Sequence, residues 1–218
     1  MTSNLDRSAP SGRVAAWLTR WGPVLPLLGA EFVLLLGFGA ILPVLPIYFT
    51  EHGVDIPTLG LVVAAWPATR LIAEPVFGWL ADRTARPPLM VAGLALSAIF
   101  AMAPLVVGGA LAFIVLRGLA GAAAALYDPA ARGYLMDATP ADRRGEAFGL
   151  YSAAQMAGFI FGPAIGGVAA AVTGDVRSVL VLGGLVMLGS AVVVALKVRE
   201  LPARSHAHPG HPDPAIEI

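Results

Sequence analysis

Six long, predominantly apolar runs dominate the sequence. They occupy positions 23–49, 58–80, 88–108, 110–134, 147–172 and 178–197. With a rise of 1.5 Å per residue, a helix over each run can cross roughly 30 Å of hydrocarbon. None of the runs alternates in polarity as barrel strands do, and a backbone in lipid must satisfy its own hydrogen bonds. The sequence therefore predicts an all-α membrane protein, a bundle of six transmembrane helices in which short connections make neighbours antiparallel.

Composition agrees with a membrane protein and argues against other classes. Hydrophobic residues make up 57% of the 218 positions and charged residues 13%, against roughly 45–50% and about 25% in soluble proteins. The net charge of zero gives no indication of nucleic-acid binding, and the lack of cysteine excludes disulfides and thiolate metal sites. No G-K-[ST] phosphate loop is present. We therefore expect no enzymatic activity, no cofactor and no metal.

The polar ends divide the chain into three regions. Residues 1–22 form a basic segment in which Trp17 and Trp21 are placed as at a lipid headgroup interface, and the apolar run that follows is too long for a signal peptide. Residues 23–200 hold the six-helix bundle. Residues 201–218 are polar and proline-rich, so we expect a disordered cytoplasmic tail rather than a metal site. The tail contains three histidines: His206, His208 and His211.

The basic residues predict the orientation of the bundle. If the N-terminus is inside, only Arg177 lies on the outer side. An excess of Arg and Lys on the cytoplasmic side is typical of multi-pass proteins, so both termini are predicted to be cytoplasmic, in a bacterial inner (plasma) membrane. The eleven inner basic residues are Arg7, Arg13, Arg20, Arg83, Arg86, Arg132, Arg143, Arg144, Lys197, Arg199 and Arg204.

The loop after the second run carries a recognisable motif. It reads G-W-L-A-D-R-T-A-R from Gly78 to Arg86. This resembles the cytoplasmic signature of the major facilitator superfamily, G-x-L-A-D-R-x-G-R-[RK], with departures at Ala85, where glycine is expected, and at Pro87, where a basic residue is expected. Gly78 would let two helices approach closely. The resemblance implies that Asp82, Arg83 and Arg86 belong to a charged latch that holds the cytoplasmic side in one conformational state.

Three more segments resemble the same superfamily. In the fourth run Arg117 is followed by Gly121 and small residues, as in a second signature of the superfamily. Asp137, Arg143 and Arg144 resemble its second cytoplasmic loop, and the resemblance implies that one of the two arginines lies near Asp82. The fifth run matches the G-x-x-x-G-P-x-x-G-G pattern of proton-coupled drug antiporters, in which spacings of four place glycines on one packing face. That pattern comprises Gly158, Gly162, Pro163, Gly166 and Gly167.

Ionisable residues within the runs suggest a transport mechanism. Arg70 and Glu74 are four residues apart and can pair with each other. Glu31 has no basic neighbour on its own helix, and burial penalises the charged form of a carboxyl group. We hypothesise that Glu31 binds a proton and an organic cation alternately and that Arg117 helps set its proton affinity, the alternative being a hydrogen-bonded structural Glu31. Possible pocket residues are Phe38, Tyr127, Tyr151 and Gln155.

The resemblance implies one half of a major facilitator fold, since complete carriers of this superfamily have two six-helix halves with the substrate between them. The function indicated is secondary active transport, specifically proton-coupled efflux of small amphipathic or drug-like compounds by alternating access. Two alternatives remain: a sugar or metabolite carrier of the same fold, and a truncated or non-transporting six-helix module. Transport would require a second half, supplied by a homodimer or by a separate chain, in addition to the bilayer, the substrate and protons.

Overall fold

Six spans follow one another in residues 9–200, the part of the chain that this computed structural model describes. Each is helical and, by length and composition, able to cross a membrane. The prediction of six membrane-length helices is confirmed. The predicted tail 201–218, with its histidines, lies outside the described residues, as do residues 1–8. The spans are Leu25–Glu51, Ile56–Ala81, Arg86–Leu105, Ala110–Ala138, Ala141–Thr173 and Arg177–Lys197.

Eight α-helices make up this architecture. The first, α1, precedes the spans, and the first span consists of two helices, α2 and α3. The helices are α1 (Ala9–Trp21), α2 (Leu25–Ile41), α3 (Leu45–Glu51), α4 (Ile56–Ala81), α5 (Arg86–Met102), α6 (Ala110–Ala138), α7 (Arg144–Thr173) and α8 (Arg177–Lys197).

The sequence did not indicate the break in the first span. Residues 42–44 form a turn between α2 and α3, and Pro43 lies within it. Proline has no N–H to donate and its ring crowds the preceding turn, so the α-helical bonding pattern is interrupted there. Pro46 then occupies the first turn of α3, where a missing N–H costs nothing. By contrast, α7 continues as one helix through Pro163.

The bundle is built around α2, which packs against α7 and α8, whereas α4 packs mainly on α6, and α5 joins α6 to α8. Glycines on α7 let α2 approach. A Cβ atom added to Gly162 would lie 2.7 Å from the Ala40 nitrogen, and one added to Gly166 would lie 2.6 Å from the Ala40 oxygen. Gly158 meets the Phe32 carbonyl oxygen in the same way, whereas a Cβ at Gly167 would meet nothing within 4 Å. The α2–α7 contact therefore runs backbone against backbone.

Candidate functional site

A cavity of about 180 Å³ lies within the bundle and is lined by residues from all six spans. Most of the lining is aliphatic or aromatic, and the polar exceptions converge from five different helices. Concave apolar sites with a few placed polar groups are typical of small-molecule binding. The ionisable lining residues are Glu31, Arg70, Arg117 and Asp128.

Glu31 on α2 is the most deeply buried ionisable residue of the cavity, with none of its surface exposed. The Tyr127 hydroxyl on α6 donates a hydrogen bond to its Oε2 at 2.5 Å. The Gln155 amide on α7 donates to its Oε1 at 2.6 Å. Three helices thus meet at this carboxyl group, and two of the residues predicted for the pocket are its direct partners. A buried carboxyl group must be satisfied in this way to be tolerated.

The other two predicted pocket residues lie close to this centre in different ways. Phe38, which lines the cavity two turns beyond Glu31 on α2, packs against Trp66 with 5.4 Å between ring centroids. Tyr151 lies one turn before Gln155 on α7, so the two share a face of that helix. Its hydroxyl is buried and has no hydrogen-bond partner within residues 9–200. A spare donor therefore lies next to the carboxyl group and its two partners.

Arg117 lines the cavity at a different level from Glu31. It precedes Tyr127 by ten residues on α6, which is about 15 Å of helix rise. Its guanidinium group lies 6.0 Å from the Trp66 ring centroid, and its Nε atom has no hydrogen-bond partner in the described part of the chain. No ion pair between Arg117 and Glu31 occurs among those residues, because the two side chains come from different depths of the bundle. An influence of Arg117 on the proton affinity of Glu31 remains a prediction.

Sequence reasoning missed the ion pair that joins α4 to α6. Arg70 contacts Glu74 on its own helix at 3.1 Å, as the four-residue spacing predicts. It also forms an ion pair with Asp128 on α6, which directly follows Tyr127, the hydrogen-bond donor to Glu31. Arg70 also lies 5.2 Å from the Trp66 ring centroid, so this indole faces two guanidinium groups. Asp128 could have indicated this pair in the sequence, because an acidic residue inside a span needs a partner.

We expect the Arg70–Asp128 pair to contribute measurably to stability. Asp128→Asn should lower the free energy of unfolding by roughly 1–2 kcal/mol, because it leaves the guanidinium group half-buried with only Glu74 as a partner. The Arg70→Gln/Asp128→Asn double variant should lose less than the sum of the single variants. Thermal unfolding in one detergent measures all four proteins. Strictly additive losses would show that the pair contributes no interaction energy.

Only some of the residues predicted for the latch form ion pairs with one another. Arg86, at the start of α5, forms an ion pair with Asp137 near the end of α6 and approaches Asp82 at 3.9 Å. Its guanidinium group occupies the space beside Gly133, where an added Cβ atom would lie 2.7 Å from the Arg86 Cζ atom. At Gly78 an added Cβ would have one neighbour, the Pro129 Cβ at 4.0 Å. Gly78 therefore does not bring two helices of this chain into close contact, in contrast to the expectation from the sequence.

The remaining basic residues of this region have other partners. Arg83 lies over the Trp79 ring, with its Cζ atom 4.1 Å from the centroid. Arg143 pairs with its neighbour Asp142 at 3.6 Å, and the Arg144 Nε atom is buried without a partner in residues 9–200. Neither arginine forms an ion pair with Asp82 among the described residues. Arg143 instead lines a small cavity at the α1–α2 junction.

This fold and these motifs agree with a match to a known family. The Major Facilitator Superfamily model matches residues 27–217. The chain belongs to this superfamily. Its members are carriers rather than enzymes, and six membrane-length helices make this member a multi-pass membrane protein.

Relatives with curated descriptions are drug-resistance proteins. The chain is 33% identical over 142 residues to the quinolone resistance protein NorA of Staphylococcus aureus strain MRSA252, covering 65% of this chain and 37% of that protein. It is 37% identical over 144 residues to multidrug resistance protein 2 of Bacillus subtilis strain 168, covering 65% of this chain and 35% of the relative. The chain thus spans little more than a third of the length of these relatives.

Solved structures show the same fold. A bacterial homologue of the human lysosomal transporter Spinster, in an inward-facing and occupied conformation, superposes with a TM-score of 0.75 at 18% identity. That match covers 85% of this chain and 45% of the other. The inward-facing unoccupied form of the homologue gives a TM-score of 0.72 at 18% identity, covering 84% and 44%.

Proposed function

We propose that this protein takes part in proton-coupled efflux of small amphipathic compounds across a bacterial inner membrane, by alternating access and with both termini in the cytoplasm. The observation that carries the proposal is Glu31, a fully buried carboxyl group at an apolar cavity, held by hydrogen bonds from two other helices. The drug-resistance functions in the names of its relatives support the same substrate class.

The geometry around Glu31 suggests how proton and substrate compete. Both partners, Tyr127 and Gln155, donate to the carboxyl oxygens. A proton on Glu31 makes one carboxyl oxygen an O–H donor, and one of the partners can rearrange to accept from it. The Gln155 side chain can do this by turning its amide so that its oxygen accepts the new bond. A cationic group entering the cavity would instead pair with the charged carboxylate. Proton release and cation binding are thereby linked at one residue.

The cavity walls suit substrates with flat apolar surfaces. Phe38 and Trp66 present two rings to the cavity from α2 and α4, and Phe100 and Phe159 add rings from α5 and α7. Aromatic side chains offer large contact areas without demanding a particular hydrogen-bond pattern. A sugar carrier needs many polar partners for hydroxyl groups, whereas most of the polar side chains at this cavity are already paired with one another. An amphipathic substrate is therefore favoured over a sugar.

A second six-helix half, from another copy of the chain or from a separate chain, is part of the proposal. The cavity of about 180 Å³ is smaller than the roughly 300–1,000 Å³ of typical ligand sites. α4 and α7 also carry strongly exposed apolar side chains, among them Ile72 at 76% and Val168 at 64%. A second half against these helices would complete the site, as in carriers of this type.

Flux into proteoliposomes tests the proposed function. Vesicles containing the protein are given an imposed pH gradient, and accumulation of a fluorescent quaternary ammonium cation, which has no titratable proton and does not partition with pH, is followed over time against empty vesicles. We expect accumulation that a protonophore abolishes and that a neutral sugar does not inhibit. Accumulation that is independent of the gradient would contradict proton coupling. The mass of the solubilised particle, corrected for detergent, shows in parallel whether two copies associate.

A further inference from the structure

A second cavity lies at the arginine-rich end of the bundle, separate from the substrate cavity. It measures about 80 Å³ and is formed between the α1–α2 junction and the connection from α6 to α7. The two cavities share no lining residue. The small cavity therefore needs an explanation other than the binding of the transported compound. Its side chains with hydrogen-bond donors are Arg20, Trp21, Thr139 and Arg143.

Two of these donors are buried and unsatisfied. Trp21 and Thr139 are each 2% exposed. The Trp21 Nε1 and Thr139 Oγ1 atoms have no hydrogen-bond partner within the described residues. A buried donor left unpaired is unfavourable, so two such donors at one small cavity indicate a bound group that accepts from both. An indole N–H can only donate, so the group must carry acceptor atoms.

The charges at the cavity define the ligand further. Arg20 and Arg143 contribute two guanidinium groups, and no acidic side chain lines the cavity. Arg143 also pairs with Asp142 at 3.6 Å, but the Asp142 side chain is 73% exposed and does not line the cavity. Guanidinium groups bind tetrahedral oxyanions through paired N–H donors. Two arginines, one indole N–H and one hydroxyl together match the several acceptor oxygens of a phosphate group.

We propose that this cavity is a binding site for a phosphate-type oxyanion, supplied either by an anionic lipid headgroup or by free phosphate. Trp21 ends α1, four residues before the first span begins at Leu25, at a position where tryptophan and arginine side chains meet lipid headgroups in membrane proteins. The bound group would connect the α1–α2 junction, through Arg20, to the connection between α6 and α7, through Arg143. It would thereby hold α1 against the end of the bundle.

Lipid binding to the full-length protein tests the proposal. Native mass spectrometry of the protein in a neutral detergent measures the dissociation constants of phosphatidylglycerol and phosphatidylcholine, and thermal unfolding with inorganic phosphate measures the free anion. We expect saturable binding of one phosphatidylglycerol. Arg20→Gln/Arg143→Gln should weaken it roughly tenfold, the loss expected for charge-assisted hydrogen bonds at a partly exposed site.

Conservative variants separate a built site from general surface charge. Trp21→Phe and Thr139→Val keep the packing and remove one donor each, so each should weaken binding several-fold without unfolding the protein. Lys197→Gln/Arg199→Gln removes two exposed charges from the same end of the bundle and should change binding less than twofold. Equal losses in the two double variants, or no effect in the two conservative ones, would overturn the proposal. Thermal stabilisation by inorganic phosphate alone would identify the free anion as the ligand, and its absence the lipid.

Discussion

Glu31→Gln should reduce gradient-driven transport to the background of empty liposomes while leaving the protein folded. Glutamine has nearly the shape of glutamate and can still accept the Tyr127 hydrogen bond, and the Gln155 amide can turn to accept from the new NH₂ group. The variant cannot carry a proton, so the link between proton and substrate is lost. Flux of the quaternary ammonium cation under an imposed pH gradient measures the effect, with thermal unfolding as the test of folding.

Two further variants make this result specific to the carboxyl group. Glu51→Gln makes the same chemical change at the exposed end of α3 and should leave transport unchanged. Glu31→Asp keeps the charge but shortens the reach to Tyr127 and Gln155, so it should retain coupling at a reduced rate. A Glu31→Gln protein that accumulates substrate at the wild-type rate would exclude the coupling role and leave Glu31 as a structural residue.

Gly162→Ala should be among the most destabilising single substitutions in the bundle, although it adds only one methyl group. The new Cβ atom would lie 2.7 Å from each of three backbone atoms of α2, in Leu36, Gly39 and Ala40. Backbone atoms cannot rotate away as a side chain can, so α2 and α7 must separate. Overpacking of this kind costs roughly 1–3 kcal/mol, and the unfolding temperature in detergent should fall accordingly.

The matched control lies five residues further along the same helix. A Cβ atom added to Gly167 would meet nothing within 4 Å. Gly167→Ala should therefore be neutral or stabilising by up to about 1 kcal/mol, because alanine loses less backbone entropy in a helix than glycine does. Equal destabilisation by the two alanines would show that local helix properties, rather than the approach of α2, determine stability here.

The sequence alone allowed the spans to be predicted well, for a clear physical reason. Hydrocarbon of fixed thickness requires about twenty apolar residues per crossing, and this requirement is local in sequence. The break after α2 was missed because Pro43 lies inside a strongly apolar run. Local hydropathy does not distinguish a bent transmembrane helix from a straight one, whereas a proline, which lacks the backbone N–H, can indicate the bend.

The candidate site was less predictable, because it depends on which residues of neighbouring helices lie at the same height in the bundle. Glu31, Tyr127 and Gln155 could each be chosen by residue type, but their meeting at one point follows from three-helix packing. Arg117 was paired with Glu31 only because both are ionisable, and the separation along α6 argues against direct contact. The partner of Arg70 on α6 was likewise invisible to spacing rules, which describe pairs on one helix.

The contact between Gly133 and Arg86 predicts that positions 133 and 86 covary among homologues. The Arg86 guanidinium group fills the space that a side chain at position 133 would occupy, on its way to Asp137. The small residue and the long one therefore share a single volume. Among homologues, substitution at one of these positions should accompany substitution at the other. A larger residue at 133 should occur together with loss of the arginine at 86, and this covariation would be strongest where the aspartate at 137 is also replaced.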